Sequence, residues 1–141
     1  MPTSIRANRL SLQIPDGWAD ETVYAFRSTD RQEKVTLKIE KRSRQSSLDD
    51  DLMEKTASVR AGIPGAKLGA TGDTTFARLP AKYFMIEGLR GDEVPIVYYC
   101  VLAKPLPLEL LVFDYAGPAD HWKRASTQLQ AIMQSAVFAG E

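Results

Sequence analysis

Leu10-Ser11-Leu12-Gln13-Ile14-Pro15-Asp16-Gly17-Trp18 alternates apolar and polar residues, turns, and stops on a tryptophan. In an extended strand Leu10, Leu12 and Ile14 share one face, with Ser11 and Gln13 on the other. Pro15 has no N–H to continue a ladder, and Asp16-Gly17 has the chemistry of a tight turn. Trp18 then sends a large apolar ring back toward the body of the protein. The stretch carries fold information rather than chemistry.

Working outward, residues 3–7 read as a short strand before it. After it, Thr22–Arg27 reads as a strand with Tyr24 and Phe26 on one face and Val23 and Ala25 on the other. Lys34–Lys41 alternates cleanly, Val35, Leu37 and Ile39 inward and Thr36, Lys38 and Glu40 outward. Ser46 and Ser47 are candidate N-caps, and Asp49, Asp50 and Asp51 complement the positive end of a helix dipole. Leu48, Leu52, Thr56, Val59 and Ile63 recur at helical spacing, which predicts a helix over 48–61 that Gly62 and Pro64-Gly65 stop. The Gly- and Thr-rich run from Ala66 to Ala81 is read as holding one short strand, 73–76.

Strands are expected over 82–89, 93–102 and 108–115, with Pro95 at an edge or a strand start. The last two are apolar on both faces, the mark of central strands or of a face kept for a partner. Gly117-Pro118 reads as a helix entry, and Trp122, Ala125, Leu129, Ile132, Met133 and Ala136 give the apolar stripe of a helix over 118–135. Val137-Phe138 is a candidate last strand. The expected architecture is a single α+β domain over 1–141: an antiparallel meander of about six or seven strands with one helix mid-chain and one at the end.

The bulk numbers limit the function classes. In 141 residues, 44% are hydrophobic and 26% charged, a globular composition. Eighteen basic residues balance eighteen acidic ones, so no net field favours nucleic acid or an anionic membrane. The single cysteine, Cys100, excludes an internal disulfide and fits a reducing compartment. With no apolar run of a signal peptide in Met1–Leu10 and no stretch long enough to span a bilayer, the expected location is the cytoplasm.

Catalytic signals are thin. His121, the one histidine, stands beside Asp120 at a helix start; without a second histidine or a nucleophile motif it reads as a solvated turn rather than a base. Cys100 sits in an apolar strand and reads as a buried structural thiol. Consecutive Asp49–Asp51 diverge around a helix and do not make a metal site, and the Gly-rich segments at 62–65 and 69–72 fit no phosphate fingerprint. Lys41-Arg42-Ser43-Arg44 is a weak nucleic-acid signal in a neutral protein. No enzyme, cofactor or metal is expected. What remains is apolar surplus: Val97, Tyr99 and Val101 back onto Ile96, Tyr98 and Cys100, and two helices cover only part of such a sheet. An uncovered apolar face marks a dimer interface or a groove for a hydrophobic ligand.

The order of these features resembles the DcrB-related family (DUF1795), whose members have the PsbP-like fold. The resemblance rests on Leu12–Trp18, Val23–Phe26, Ile63-Pro64-Gly65, the paired strands Tyr83–Leu89 and Ile96–Leu102, and the closing helix with Ser135 and Phe138. Among cytoplasmic members are Eag-type chaperones of type VI secretion. The resemblance implies a homodimer that shelters the N-terminal transmembrane segments of an Rhs- or PAAR-type effector before loading. It implies groove positions at Val23, Ala25, Thr36, Glu40, Lys55 and Tyr99, to which the alternation of the central strand adds Val97 and Val101. These are expected on the face opposite Tyr24, Phe26, Leu37, Ile39 and Tyr98. Where the chaperones favour Ser and Gln, this chain has Glu40, Lys55 and Tyr99, and Lys38 adds another charge. The rival expectation is an assembly domain that binds a folded partner through loops, with Lys41–Arg44 engaged.

Overall fold

The structure is a computed structural model that describes the backbone of residues 3–7 and 10–14 and all of 23–136. The expected turn at Pro15–Trp18 and the candidate strand at Val137-Phe138 lie outside the described residues.

Strands β1 (Thr3–Ala7) and β2 (Leu10–Ile14) form an antiparallel pair with Ile5 opposite Leu12. The main sheet has six strands: β3 (Val23–Arg27), β4 (Lys34–Lys41), β5 (Lys67–Phe76), β6 (Leu79–Leu89), β7 (Pro95–Ala103) and β8 (Glu109–Pro118). Their order across the sheet is β3-β4-β8-β7-β6-β5, antiparallel throughout. Helix α1 (Leu48–Gly62) carries the chain from β4 to the far edge, and β5 to β8 then meander back. Helix α2 (Trp122–Ser135) follows β8 after a 3-10 turn at Ala119–His121. The α+β meander with two main helices is therefore observed.

Local chemistry explains the joints. Ser47 caps α1 by accepting the Asp50 N–H at 3.1 Å, and the helix stops at Gly62 before Gly65, whose φ of 64° suits a residue without a Cβ. Ala77 and Arg78 take φ of 49° and 68° in the two-residue link between β5 and β6, where a tight hairpin needs positive φ at both central residues. Pro95 is the first residue of β7, where it removes no central ladder bond.

Two elements depart from expectation. β5 runs ten residues, Lys67–Phe76, rather than only 73–76. Gly69, Ala70, Gly72 and Asp73 weaken its strand signal, but pairing to β6 from Lys67↔Glu87 to Phe76↔Leu79 supplies the ladder. β8 continues through Gly117 and Pro118, which pair with Val97 and Ile96, so the last helix starts at Trp122 rather than at 118. Gly117 is kept small by packing: a Cβ there would lie 2.4 Å from the Tyr115 hydroxyl.

The central strands β7 and β8 are apolar on both faces because each face has a helix over it. On one side Tyr99, Val101, Leu111, Phe113 and Tyr115 pack with Ala125, Leu129 and Met133 of α2. On the other Phe84, Ile86, Cys100, Leu102, Leu110 and Val112 pack with Leu48, Leu52, Val59 and Ile63 of α1. The spacing read from the sequence thus places the buried faces of both helices, except that Ile132, expected in the α2 stripe, is 45% exposed at its margin.

Candidate binding surface

Helix α1 covers β6, β7 and the Leu110–Val112 end of β8. Among the described residues, nothing covers the same side of the sheet over β3, β4 and the Asp114–Ala116 end of β8. Strand β3 is exposed at all five residues, Val23 at 54%, and β4 is half-buried along its middle. The register brings one set of side chains to this open area: Val23 beside Lys38, Ala25 beside Thr36, and Thr36 beside Asp114. Asp114 pairs in turn with Cys100 on β7.

Its floor is polar and internally satisfied. The Tyr98 hydroxyl donates to Asp114 Oδ2 at 2.6 Å, and the Thr36 hydroxyl donates to Asp114 Oδ1. Burial, then the charges and hydrogen bonds of Cys100 and Asp114, push the Tyr98 hydroxyl far above the ordinary phenol range, so it stays a donor. A hollow of about 240 Å³ opens above these groups, lined by Lys34, Thr36, Tyr98, Asp114 and Ala116. A second, of about 350 Å³, lies between Val23, Lys38, Glu40 and Arg42.

Glu40 organises the second hollow. Its carboxylate receives Lys55 Nζ at 2.7 Å, Lys38 Nζ at 3.0 Å and the Arg42 guanidinium at 3.0 Å. Burial raises its pKa, but the hydrogen bonds from Lys55 and Lys38 outweigh that and hold it below the usual carboxylate value. The result is an apolar rim, Val23 and Ala25, beside a floor of hydroxyls and closely spaced charges.

Of the expected groove residues, Val23, Ala25, Thr36, Glu40 and Lys55 share this surface. Val97, Tyr99 and Val101 do not. They face the opposite side and are buried at 2%, 5% and 0% exposure, with the Tyr99 ring 5.1 Å from Trp122 of α2. Tyr98, expected opposite the groove, is part of its floor. The reason is register. Alternation sorts each strand into two sets, but only pairing decides which set of one strand joins which set of another. Counting through Ala25↔Thr36, Thr36↔Asp114 and Asp114↔Cys100 puts the even positions of β7 on the groove side. Sequence reasoning also misses Asp114. Its signal is there: a lone carboxylate in the apolar run Leu110–Tyr115.

Other candidate groups have structural partners. His121 is not simply solvated: its Nδ1 lies 3.5 Å from Glu33 Oε1. Glu33, 8% exposed, accepts from the Tyr115 hydroxyl and from Arg124, both at 2.7 Å, which ties the β3–β4 turn to the start of α2. Cys100 is 1% exposed, and burial pushes its thiol well above the ordinary range. Asp51 does more than complement a dipole. At 1% exposure it accepts from Ser46 at 2.8 Å and Lys104 at 3.3 Å. In the basic loop, Lys41 pairs with Glu109 and Arg42 with Glu40. Among the described residues no group of three or more metal-ligating side chains converges, and no helix is long and apolar enough to cross a membrane.

No protein-family model matches the chain, and no curated protein matches it. Solved structures do. The chain is similar to PA94 of Pseudomonas aeruginosa, described as a protein of unknown function and a candidate regulator, with a TM-score of 0.77 at 17% identity over 99% of both chains. It is similar also to the cyanobacterial PsbP (CyanoP) of Synechocystis sp. PCC 6803, with a TM-score of 0.60 at 17% identity over 91% of this chain and 86% of that one. At such identity the likeness speaks to architecture, and the architecture is the PsbP-like fold.

Proposed function

We propose that this chain is a non-enzymatic chaperone or adaptor that shelters a hydrophobic segment of another protein on the open side of its sheet. The client we favour is the N-terminal transmembrane segment of an Rhs- or PAAR-type type VI secretion effector, held in the cytoplasm before it is loaded for export. A transmembrane helix cannot stay unshielded in water, and an adaptor must offer it both apolar contact and hydrogen-bonding side chains of the kind that join helices within a membrane.

The observation that carries this reading is the pairing of the apolar edge, Val23 at 54% exposure with Ala25 beside it, with the donors and acceptors of Thr36, Tyr98 and Asp114 on one uncovered surface. The salt-linked Lys38, Glu40 and Lys55 add a charged border, which fits a client segment with polar residues on the face it turns to the sheet. Ala25→Asp tests it. The variant keeps its fold, since residue 25 is exposed, and loses the ability to keep a co-expressed fusion bearing an apolar client segment in solution. A client held equally well by the variant removes the groove from this surface.

A further inference from the structure

Among the described residues five carboxylates are buried or half-buried: Glu33, Glu40, Asp51, Glu109 and Asp114. Four have a cation to answer the charge. Arg124 pairs with Glu33 at 2.7 Å, Lys55 with Glu40 at 2.7 Å, Lys104 with Asp51 at 3.3 Å, and Lys41 with Glu109. Asp114 has none among the described residues. A charge withdrawn from water ordinarily keeps a counter-charge beside it. Lys34 lines the same hollow but makes no ion pair with Asp114.

The two hydroxyls that Asp114 accepts leave its charge standing and fix its geometry. Thr36 donates to Oδ1 and Tyr98 to Oδ2. A carboxylate has about two acceptor sites on each oxygen, so one on each oxygen stays free. The hydroxyls have committed their protons and can only accept in turn. The floor of the hollow of about 240 Å³ therefore offers acceptors, with the exposed Lys34 at its rim. The charge is felt nearby: burial first, and then Asp114, push the Cys100 thiol up.

We infer that Asp114 anchors a cation site in this hollow, and that the group it takes is the guanidinium of an arginine on the bound segment. One free site on each of two oxygens matches the parallel N–H pair of a guanidinium, whereas an ammonium is a point charge. Ala116 gives the aliphatic stem a wall to lie on. That the arginine belongs to the client rests on the chaperone reading; the cation site itself does not. A membrane-spanning segment with an arginine has particular need of such a partner, since its charge is costly wherever water is withdrawn.

Butylguanidinium and butyrate test the site, read by the amide shifts of Thr36, Tyr98 and Asp114. Butylguanidinium should shift them saturably, and butyrate should not. Asp114→Asn, which keeps the shape, should weaken butylguanidinium binding about tenfold or more. Lys34→Ala, at an exposed position, should strengthen it about two- to threefold by removing a like charge from the rim. Equal binding of the two probes, an Asp114→Asn variant that binds as wild type does, or a Lys34→Ala variant that binds no better overturns the inference. A second arm uses soluble fusions carrying an apolar segment of about twenty residues with either one arginine or one glutamine at its centre. Wild type should hold the arginine segment more tightly, and Asp114→Asn should hold the two alike. A wild-type protein without that preference overturns the arginine's place on the client. Butylguanidinium bound through Asp114 with neither segment held leaves the cation site standing and removes only the chaperone reading. Segments held without butylguanidinium binding do the reverse.

Discussion

Lys55 Nζ of α1 lies 2.7 Å from Glu40 Oε1 of β4, a link from the helix over the covered half of the sheet to the strand in the open half. Both side chains are 23% exposed, so solvent screens the pair only in part. Lys55→Met should lower stability by about 1 kcal/mol, since Lys38 and Arg42 still neutralise Glu40. The pH dependence has a definite sign. The folded-state pKa of Glu40 is lowered, so its contribution is present above the unfolded value near 4.5 and is lost as pH falls through the folded value. Chemical denaturation of wild type and Glu40→Gln should therefore differ at neutral pH and converge below pH 4.5. A gap that widens in acid would contradict the assignment.

Tyr99 belongs to the core. Its ring is 5.1 Å from Trp122 and 5.7 Å from Tyr83, at 5% exposure, and burial pushes its hydroxyl up to about 12. Tyr99→Ala should cost about 3–5 kcal/mol in urea unfolding, and Tyr99→Asp should fail to fold. A soluble, cooperatively melting Tyr99→Asp protein with an isolated binding defect would restore that residue to the groove.

Asp51 and Lys104 form the most deeply buried ion pair among the described residues, with Asp51 at 1% exposure. Asp51→Ala leaves the Lys104 ammonium with little solvent and should cost about 3 kcal/mol. Removing both charges, as Asp51→Leu with Lys104→Met, should recover most of that loss by calorimetry. Equal destabilisation in the single and double variants would show that the pair contributes through Ser46 and the helix cap instead.

The sequence carried the fold well where period and caps agreed. Leu48, Leu52, Val59 and Ile63 on α1, and Ala125, Leu129 and Met133 on α2, meet the sheet as their spacing demands. It carried β5 poorly, because Gly69 and Gly72 weaken a strand that its neighbour β6 enforces. The surface was half legible. Val23, Ala25, Thr36 and Glu40 lie on two adjacent strands joined by a short turn, so their shared face follows from local pairing. Tyr98 and Tyr99 reach the groove strands only through β8, seventy-eight residues from Thr36 to its partner Asp114, and a one-residue slip anywhere on that path exchanges them.

The central claim is that an apolar segment lies on the open side of β3, β4 and β8. Amide chemical-shift mapping tests it most directly, using a soluble fusion that carries an apolar helix of about twenty residues as the probe. The account predicts shifts concentrated at Val23, Ala25, Thr36, Lys38 and Asp114, with α2 unaffected. Shifts confined to the loop at Arg42–Gln45 or to the α2 side, or no binding by the wild-type protein, would contradict it.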